Sequence, residues 1–449
     1  MFACVKLYVA HSYLKNSIWI FCIALSIRAI YFYFFVEPSY LFSEDQALYI
    51  HLAQEFPTSG FFGVMPQRVP GYPLFLSTIF TIFGENILNV VLVQILLDSI
   101  SCVVIALMAR LLFRKGFWIA GVLSSANLSM IILSATLLTD TLFLFFFVLF
   151  LFSLLKYLQT KSVRWFFLLA LFISLATLVR AASYYILPIL LVGLLIWRLW
   201  QKDNSLKIIQ LTVLYLFVVG TLLGGIHHRN YQQYGSTEFV TQTGGAILGW
   251  IIPAIYQYSG QGSYQEGQKL AREKLDLALQ NDNLEKLSSN PFLSSAYQTR
   301  VGKDIMLEFG FINVIQAWVV GSAINLLSPS IAYAPSLRSI KHPSFYKTRG
   351  NGIFYKLSNY IKNSSEPYYL LALAAGMATS IIFTVLALVG MFKMILEFPS
   401  VTVTILILLV IYFFAITGPI IGIKYRLPVE PILTLFITYF LNQANIKFR

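Results

Sequence analysis

The chain has 449 residues, of which 58% are hydrophobic and only 11% charged, with a formal net charge of +13. A soluble domain carries about a quarter charged residues, so this composition excludes one and leaves lipid as the solvent for so much apolar surface. Apolar runs close to the ~20 residues that cross the hydrocarbon core as a helix exclude a β-barrel; the positive charge flanks those runs, reading as membrane orientation and headgroup contact, with no nucleic-acid partner.

The first run, 16–36, follows Lys6 and Lys15. It is too long for a signal-peptide core and has no small-residue cleavage site, which predicts an uncleaved first span. Further spans are predicted at 86–112, 116–135, 138–157, 163–180, 184–201, 207–226, 368–394, 400–419 and 427–443. Short basic loops carry Arg110, Arg114 and Lys115, then Lys156, Lys161 and Arg164, then Arg198, Lys202 and Lys207. They belong on the cytoplasmic side. The N-terminus and the tail with Lys447 and Arg449 then lie inside, and 37–71, 136–140 and 227–310 lie outside.

Two apolar pieces do not span simply. Residues 72–83 make about 18 Å of helix, too short to cross. Residues 311–327 are long enough, but Pro329 and Pro335 follow closely. The segment 330–366 is basic through Lys341, Lys347, Arg349, Lys356 and Lys362, which by the loop rule argues for the inside. Residues 227–310 hold mixed-charge helix-forming sequence at 268–287 and read as an extramembrane cap, with too little apolar content to fold alone. The chain divides into 1–226, a transmembrane catalytic module that includes the first outer loop; 227–310, the cap; and 311–449, a C-terminal membrane module. Cys4, Cys22 and Cys102 make neither a disulfide framework nor a thiolate metal site.

The first loop is the most informative. Ser43-Glu44-Asp45-Gln46 opens a short helix, with Ser43 as N-cap and Gln46 in the capping-box position. On it Asp45, Tyr49, Leu52 and Phe56 fall on one stripe at 100° per residue. Two readings stay open. A carboxylate on an apolar stripe faces a water-filled cavity or is desolvated, which suits a general base; or the acid of a first turn merely complements the helix dipole. Arg68-Val69-Pro70-Gly71-Tyr72-Pro73 is a stiff turn. An arginine held there suits a phosphate, although snorkelling to headgroups is the plainer reading.

Asp140, Arg180 and Lys424-Tyr425-Arg426-Leu427-Pro428 sit at predicted outer ends of spans. Each alone is an end-of-helix charge; together they converge on one face, as a site requires. Arg28 and Asp98 fall near mid-span, where charge is costly and usually paired, and are predicted to pair structurally. His227 and His228 lack a helical i,i+4 partner and nearby cysteine, which argues against a metal there.

Four pieces together resemble the GT-C superfamily of polyprenyl-phosphate-dependent glycosyltransferases, in particular bacterial relatives of protein O-mannosyltransferases and of the lipid A aminoarabinose transferase. They are D-x-x-x-Y-x-x-x-A at Asp45, Tyr49 and Ala53; R-x-P-G-Y-P-L-F-L from Arg68 to Leu76; Asp140 followed by Arg180; and K-Y-R-L-P-x-E-P from Lys424 to Pro431. The ordered set resembles the family along essentially the whole chain. Arg180-Ala181 stands where Arg-Pro is often found, and Asp140 where Glu is frequent.

The resemblance implies an all-α polytopic bundle of about 10–11 transmembrane helices with outer-face loops. It implies a membrane enzyme of the bacterial inner membrane, active at the outer face, which places 330–366 and Arg426 there too. The activity implied is inverting transfer of a sugar from a polyprenyl-phosphate donor to a glycolipid, glycan or protein acceptor. Asp45 matches the catalytic acid/base position, with Glu44 beside it; Arg68, Arg180, Lys424 and Arg426 are candidates for the donor phosphate, supported by Tyr49, Tyr72, Asp140 and Tyr425. Some members use a divalent cation, Mg or Mn, and others none, which the sequence leaves open. A lipid-linked glycan transporter or flippase, or an O-antigen polymerase or ligase centred on 227–310, are the alternatives; no inverted repeat favours the transporter.

Overall fold

The computed structural model describes residues 2–37, 45–113, 115–340, 342–343, 348 and 353–442, without the side chains of 2–13, 61–62 and 353. Ser43 and Glu44, and with them the predicted N-cap, lie outside the described residues, as do Arg114, Lys341, Lys347, Arg349, Lys447 and Arg449. Among the described residues the chain is helical and has no strand.

Among the described residues six helices, or portions of them, are long and apolar enough to cross a membrane, or up to eight if each bent pair is one span: Leu14–Phe35, Ile87–Leu112, Thr139–Thr160, Ala181–Trp200, Ser205–Tyr234 and Pro367–Glu397 are the six. In chain order the N-terminal half runs α1 (Phe2–Phe35), α2 (Asp45–Gly63), α3 (Gly71–Phe83), α4 (Ile87–Leu112), α5 (Gly116–Ser125), α6 (Leu128–Ser134), α7 (Thr139–Thr160), α8 (Val163–Val179), α9 (Ile186–Trp200) and α10 (Ser205–Tyr234). The cap holds α11 (Gln242–Ala246), α12 (Ile252–Tyr258), α13 (Tyr264–Asn281) and α14 (Pro291–Phe309). The C-terminal half holds α15 (Phe311–Leu327), α16 (Pro335–Arg338), α17 (Ile353–Asn363), α18 (Pro367–Glu397), α19 (Val401–Thr417), α20 (Ile423–Arg426) and α21 (Glu430–Leu441).

The predicted spans at 86–112, 138–157, 163–180, 184–201, 368–394 and 400–419 coincide with helices to within a few residues. Three depart. The span predicted at 116–135 is broken into α5 and α6, bent by 51°. Ala126-Asn127 interrupts it: Asn127 is the N-cap of α6, its side chain accepting from the Met130 N–H. The span predicted at 207–226 continues to Tyr234, a helix of 30 residues and about 45 Å, longer than the hydrocarbon core. It therefore absorbs His227 and His228, and ends at Gly235, left-handed at φ 68°. The span predicted at 427–443 is shorter: Pro428 and Pro431 reduce its start to a 3-10 turn, and α21 has 12 residues. Residues 430–439 of α21 are all buried, so it is a core helix packed by protein on every side. At Gly390 of α18 a Cβ would collide with the Phe436 carbonyl, so glycine permits that close approach.

Arg28 and Asp98 do pair inside the bundle, Nε to Oδ2 at 2.5 Å. Arg28 also donates to the carbonyls of Ala24 (3.1 Å) and of Ser125 (3.2 Å), the last residue of α5. The pair thus supplies a donor to a carbonyl that the break in the span would leave orphaned.

The short basic loops share one end of the bundle: Gln159 Nε2 donates to the Leu111 carbonyl at 3.0 Å, and Lys161 Nζ to Gln201 Oε1 at 3.3 Å. The first loop, the starts of α4 and α7, and the end of α8 lie at the other. Tyr333 reaches that end too, since Tyr425 and Asp140 both act on its hydroxyl. α15 leaves the cap at a 103° bend after α14, a geometry shared by a broken span and a re-entrant segment. Asn325 fixes it, donating to the Ile420 carbonyl (2.9 Å) and accepting from the Gly422 N–H (2.8 Å).

The cap has its own apolar core, separate from that of the bundle: Ile247, Leu248, Ile252, Ile255, Ala271, Val301, Ile305, Phe309 and Ala317. Its polar composition conceals this because α13 and α14 each bury only one stripe.

Candidate active site

The site is built at the end of the bundle opposite the basic loops. α2 buries Tyr49, Leu52 and Phe56, as its stripe predicts. Asp45, in its first turn, is 47% exposed and accepts from Arg68 Nη2 at 2.9 Å. This exposure fits both a carboxylate that faces water and a first-turn acid that complements the helix dipole. Arg68 lies over the Tyr49 ring at 5.9 Å, and its Nε is buried with no hydrogen-bond partner among the described residues.

The turn carrying Arg68 is locked from below. A Cβ on Gly71 would stand 2.5 Å from the Leu178 carbonyl oxygen, so only glycine lets the turn rest on the end of α8. Tyr72 is fully buried, edge-on to Tyr49 at 5.0 Å, and donates to Gln94 Oε1 at 2.7 Å. Gln94 Nε2 donates in turn to the Ser134 (3.2 Å) and Thr136 (2.8 Å) carbonyls. Tyr72 thus ties the first loop to the segment that leads into α7.

Asp140, buried in the first turn of α7, is paired with Arg180 at the C-terminus of α8. Arg180 also lies over the Tyr425 ring at 5.8 Å, and Lys424 lies over the same ring at 5.5 Å. Among the described residues no carboxylate pairs with Lys424. The two ion pairs adjoin: burial pushes the Tyr49 hydroxyl up to about 12, and Arg68, Asp45, Arg180 and Asp140 all act on it. Tyr49 is therefore a neutral hydroxyl at physiological pH.

Nine of the ten sequence-predicted residues are described, and eight come together: Asp45, Tyr49, Arg68, Tyr72, Asp140, Arg180, Lys424 and Tyr425. Arg426 does not join them. It turns inward, Nε 2.7 Å from Glu430 Oε1, and donates to the Leu326 carbonyl. Glu430 also accepts from Asn127 (2.9 Å) and Ser129 (3.1 Å). Both charges are buried, and this four-residue spacing on a helical turn explains the departure from the expected phosphate role: Glu430 captures the arginine. Glu44 lies outside the described residues.

Two further residues join the cluster without having been singled out in the sequence. Burial pushes the Tyr333 hydroxyl up to about 12, with Tyr425, Arg338 and Asp140 also acting on it. Arg338 lies over the Tyr333 ring at 5.8 Å. The only signal for them was the basic character of 330–366. Four cations, Arg68, Arg180, Arg338 and Lys424, thus face two carboxylates, and the site is cationic. Among the described residues no three of His, Cys, Asp or Glu gather as a metal site, and Asp45 and Asp140 each already hold an arginine. The described residues therefore do not by themselves make a metal site, and Glu44, beside Asp45, lies outside them. His227 is likewise engaged, with its Nδ1 2.7 Å from the Thr237 carbonyl and its Nε2 3.4 Å from the Tyr184 hydroxyl.

Residues 66–223 match the family model of dolichyl-phosphate-mannose-protein mannosyltransferases, a stretch that holds Arg68, Tyr72, Asp140 and Arg180. Over 97% of its length the chain superposes, with a TM-score of 0.54 and 12% identity, on an archaeal oligosaccharyltransferase, AglB from Archaeoglobus fulgidus, in complex with an inhibitory peptide and a dolichol-phosphate. This is a GT-C fold. The chain spans 50% of the length of that oligosaccharyltransferase. It is also similar to ArnT from Cupriavidus metallidurans, in the apo state (TM-score 0.36, 12% identity, 98% of this chain and 77% of that one) and bound to undecaprenyl phosphate (0.35, 13%, 96% and 76%). No curated protein matches the chain in sequence.

Proposed function

We propose that this GT-C chain transfers a sugar from a polyprenyl-phosphate donor to a hydroxyl or amine acceptor at the outer face of the membrane. One observation carries the reading: Asp45–Arg68 and Asp140–Arg180 converge from distant parts of the chain beside Lys424, a cation with no carboxylate partner among the described residues. The match of 66–223 to a mannosyltransferase family supports the reaction class. The solved relatives hold dolichol-phosphate in one case and undecaprenyl phosphate in another. The basic loops at the opposite end support an outward-facing site by the charge rule.

The chemistry follows from the placement. Arg68 takes Asp45 Oδ1 and fixes the carboxylate. In the transfer step Oδ2 accepts the acceptor's proton as its oxygen or nitrogen bonds to the anomeric carbon. The bond from that carbon to the phosphate oxygen breaks, and the electron pair leaves with the polyprenyl phosphate. A single displacement inverts the anomeric configuration. Charge grows on the leaving phosphate, so cations already fixed there stabilise the transition state more than the ground state. Lys424 is the first candidate for that task, with Arg180 held beside it. Arg68 acts on Asp45, and Arg426 is structural.

The test uses purified full chain, undecaprenyl-phosphate mannose as donor, and an envelope extract from cells lacking the gene as acceptor. Asp45→Asn should abolish transfer while leaving expression and thermal stability unchanged. Near-normal transfer by this variant would defeat the mechanism.

A further inference from the structure

The first loop is held from a second side, by a network that neither the catalytic chemistry nor the family match uses. Arg229 and Asn230 lie in the last turns of α10, and both are buried. Arg229 Nη1 donates to the Val64 carbonyl at 2.8 Å, just before the Arg68 turn. Its Nε and Nη2 both donate to Asn230 Oδ1, at 2.9 and 2.8 Å. That fork fixes the Asn230 amide, whose Nδ2 donates to the carbonyls of Glu238 (2.6 Å) and Phe239 (3.1 Å). The segment so held comes back onto the loop, because the Thr241 N–H donates to the Pro66 carbonyl at 3.2 Å. Phe239 stacks on Tyr184, 4.5 Å between ring centroids, which anchors the same segment near the start of α9.

The loop from Val64 to Pro66 is thus clamped between the end of α10 and the strap that enters the cap. Arg68 follows at once, its N–H bonded to the Met65 carbonyl at 2.9 Å. A planar fork that binds several acceptors at once fixes position as well as proximity.

We infer that Arg229 is a positioning residue, which sets the place of Arg68 and through it the Asp45 carboxylate. Its effect on transfer rests on the function proposed above; its effect on the loop does not. The measurement is therefore made in two arms on the full chain in lipid nanodiscs. The first is hydrogen–deuterium exchange of peptides covering 64–70 and 237–241. Arg229→Met should raise exchange there and leave the rest of the bundle unchanged, and Arg229→Lys, which keeps one donor for Val64, should restore part of the protection. Unchanged exchange at 64–70, or a rise spread over the whole chain, overturns the inference.

The second arm is turnover with undecaprenyl-phosphate mannose. Arg229→Met should lower it roughly tenfold to a hundredfold, as small misplacements of reacting groups do. The donor KM should stay nearly constant. Introduced into Arg68→Ala, the same change should add little. Full turnover in Arg229→Met, or an equal loss in both backgrounds, overturns the positioning role. A wild-type chain that transfers nothing defeats the proposed function instead, and the exchange arm still decides the latch.

Discussion

Ion pairs in this chain divide by what surrounds them. Asp45–Arg68 is half open to water, which leaves the carboxylate free to act. Arg28–Asp98 and Arg426–Glu430 are sealed and bind backbone or amide groups besides each other. Breaking a buried pair strands a charge, whereas removing both members removes the need for solvation. Asp98→Asn should therefore destabilise the protein by roughly 3–5 kcal/mol. Arg28→Leu with Asp98→Leu should cost less than the single change predicts for two, since only the Ala24, Ser124 and Ser125 carbonyls and Cys102 lose a donor. Thermal unfolding in a fixed detergent measures both; a double variant far worse than Asp98→Asn would show that Arg28 serves mainly the bend between α5 and α6. The pairing was legible in the sequence because charge at mid-span demands a partner. The fate of Arg426 was not, because its neighbour four residues on was read only as part of a motif.

At the scale of elements, apolar runs located most spans but not the breaks. Ala126-Asn127 leaves the apolar count of 116–135 high while ending one helix and capping the next, and hydropathy averages over such a cap. α21 was read as a span because it is apolar all round, a pattern shared by lipid-facing helices and by helices buried in protein. The Arg-Val-Pro-Gly-Tyr-Pro turn was legible as stiff; that it rests on α8 was not, since nothing local specifies a neighbour 107 positions on in the chain, from Gly71 to Leu178. This contact gives a sharp expectation. Gly71→Ala puts a methyl against the Leu178 carbonyl, which cannot move without disturbing the Arg180 end of α8. Overpacking of this kind costs about 1–3 kcal/mol. Because the clash lies between the two ion pairs, transfer should fall by more than the loss of folded protein explains. Activity normalised to folded chain tests this, and a proportional loss would make Gly71 a stability residue only.

For the whole molecule, the question is how Tyr333 and Arg338, at the start of a basic segment, come to lie at the same end as the site. The positive-inside rule counts lysines and arginines in loops that choose their side during insertion. Here α15 is held along the end of α19, by Trp318 donating to the Ala415 carbonyl (3.1 Å) and by Asn325 at the 420–422 turn, and a re-entrant α15 brings the chain to 330 without a crossing. A re-entrant α15 sets the side of the segment that follows, and Arg338 beside Tyr333 adds its charge to the site. The arrangement predicts which positions a membrane-impermeant maleimide reaches in intact cells. Glu55→Cys on α2 and Tyr355→Cys on α17, where Tyr355 is 71% exposed, should react from the same side. Lys202→Cys, in the short basic loop between α9 and α10, should react only after permeabilisation, with labelling of the native cysteines in the parent chain subtracted from each. If Tyr355→Cys follows Lys202→Cys, α15 crosses the membrane, and the Lys424 region is separated from Asp45 by the bilayer. If all three react without permeabilisation, the ends of the bundle are not divided as the loops imply. Only agreement of the first two against the third leaves Asp45, Arg180 and Lys424 facing one lipid-phosphate donor.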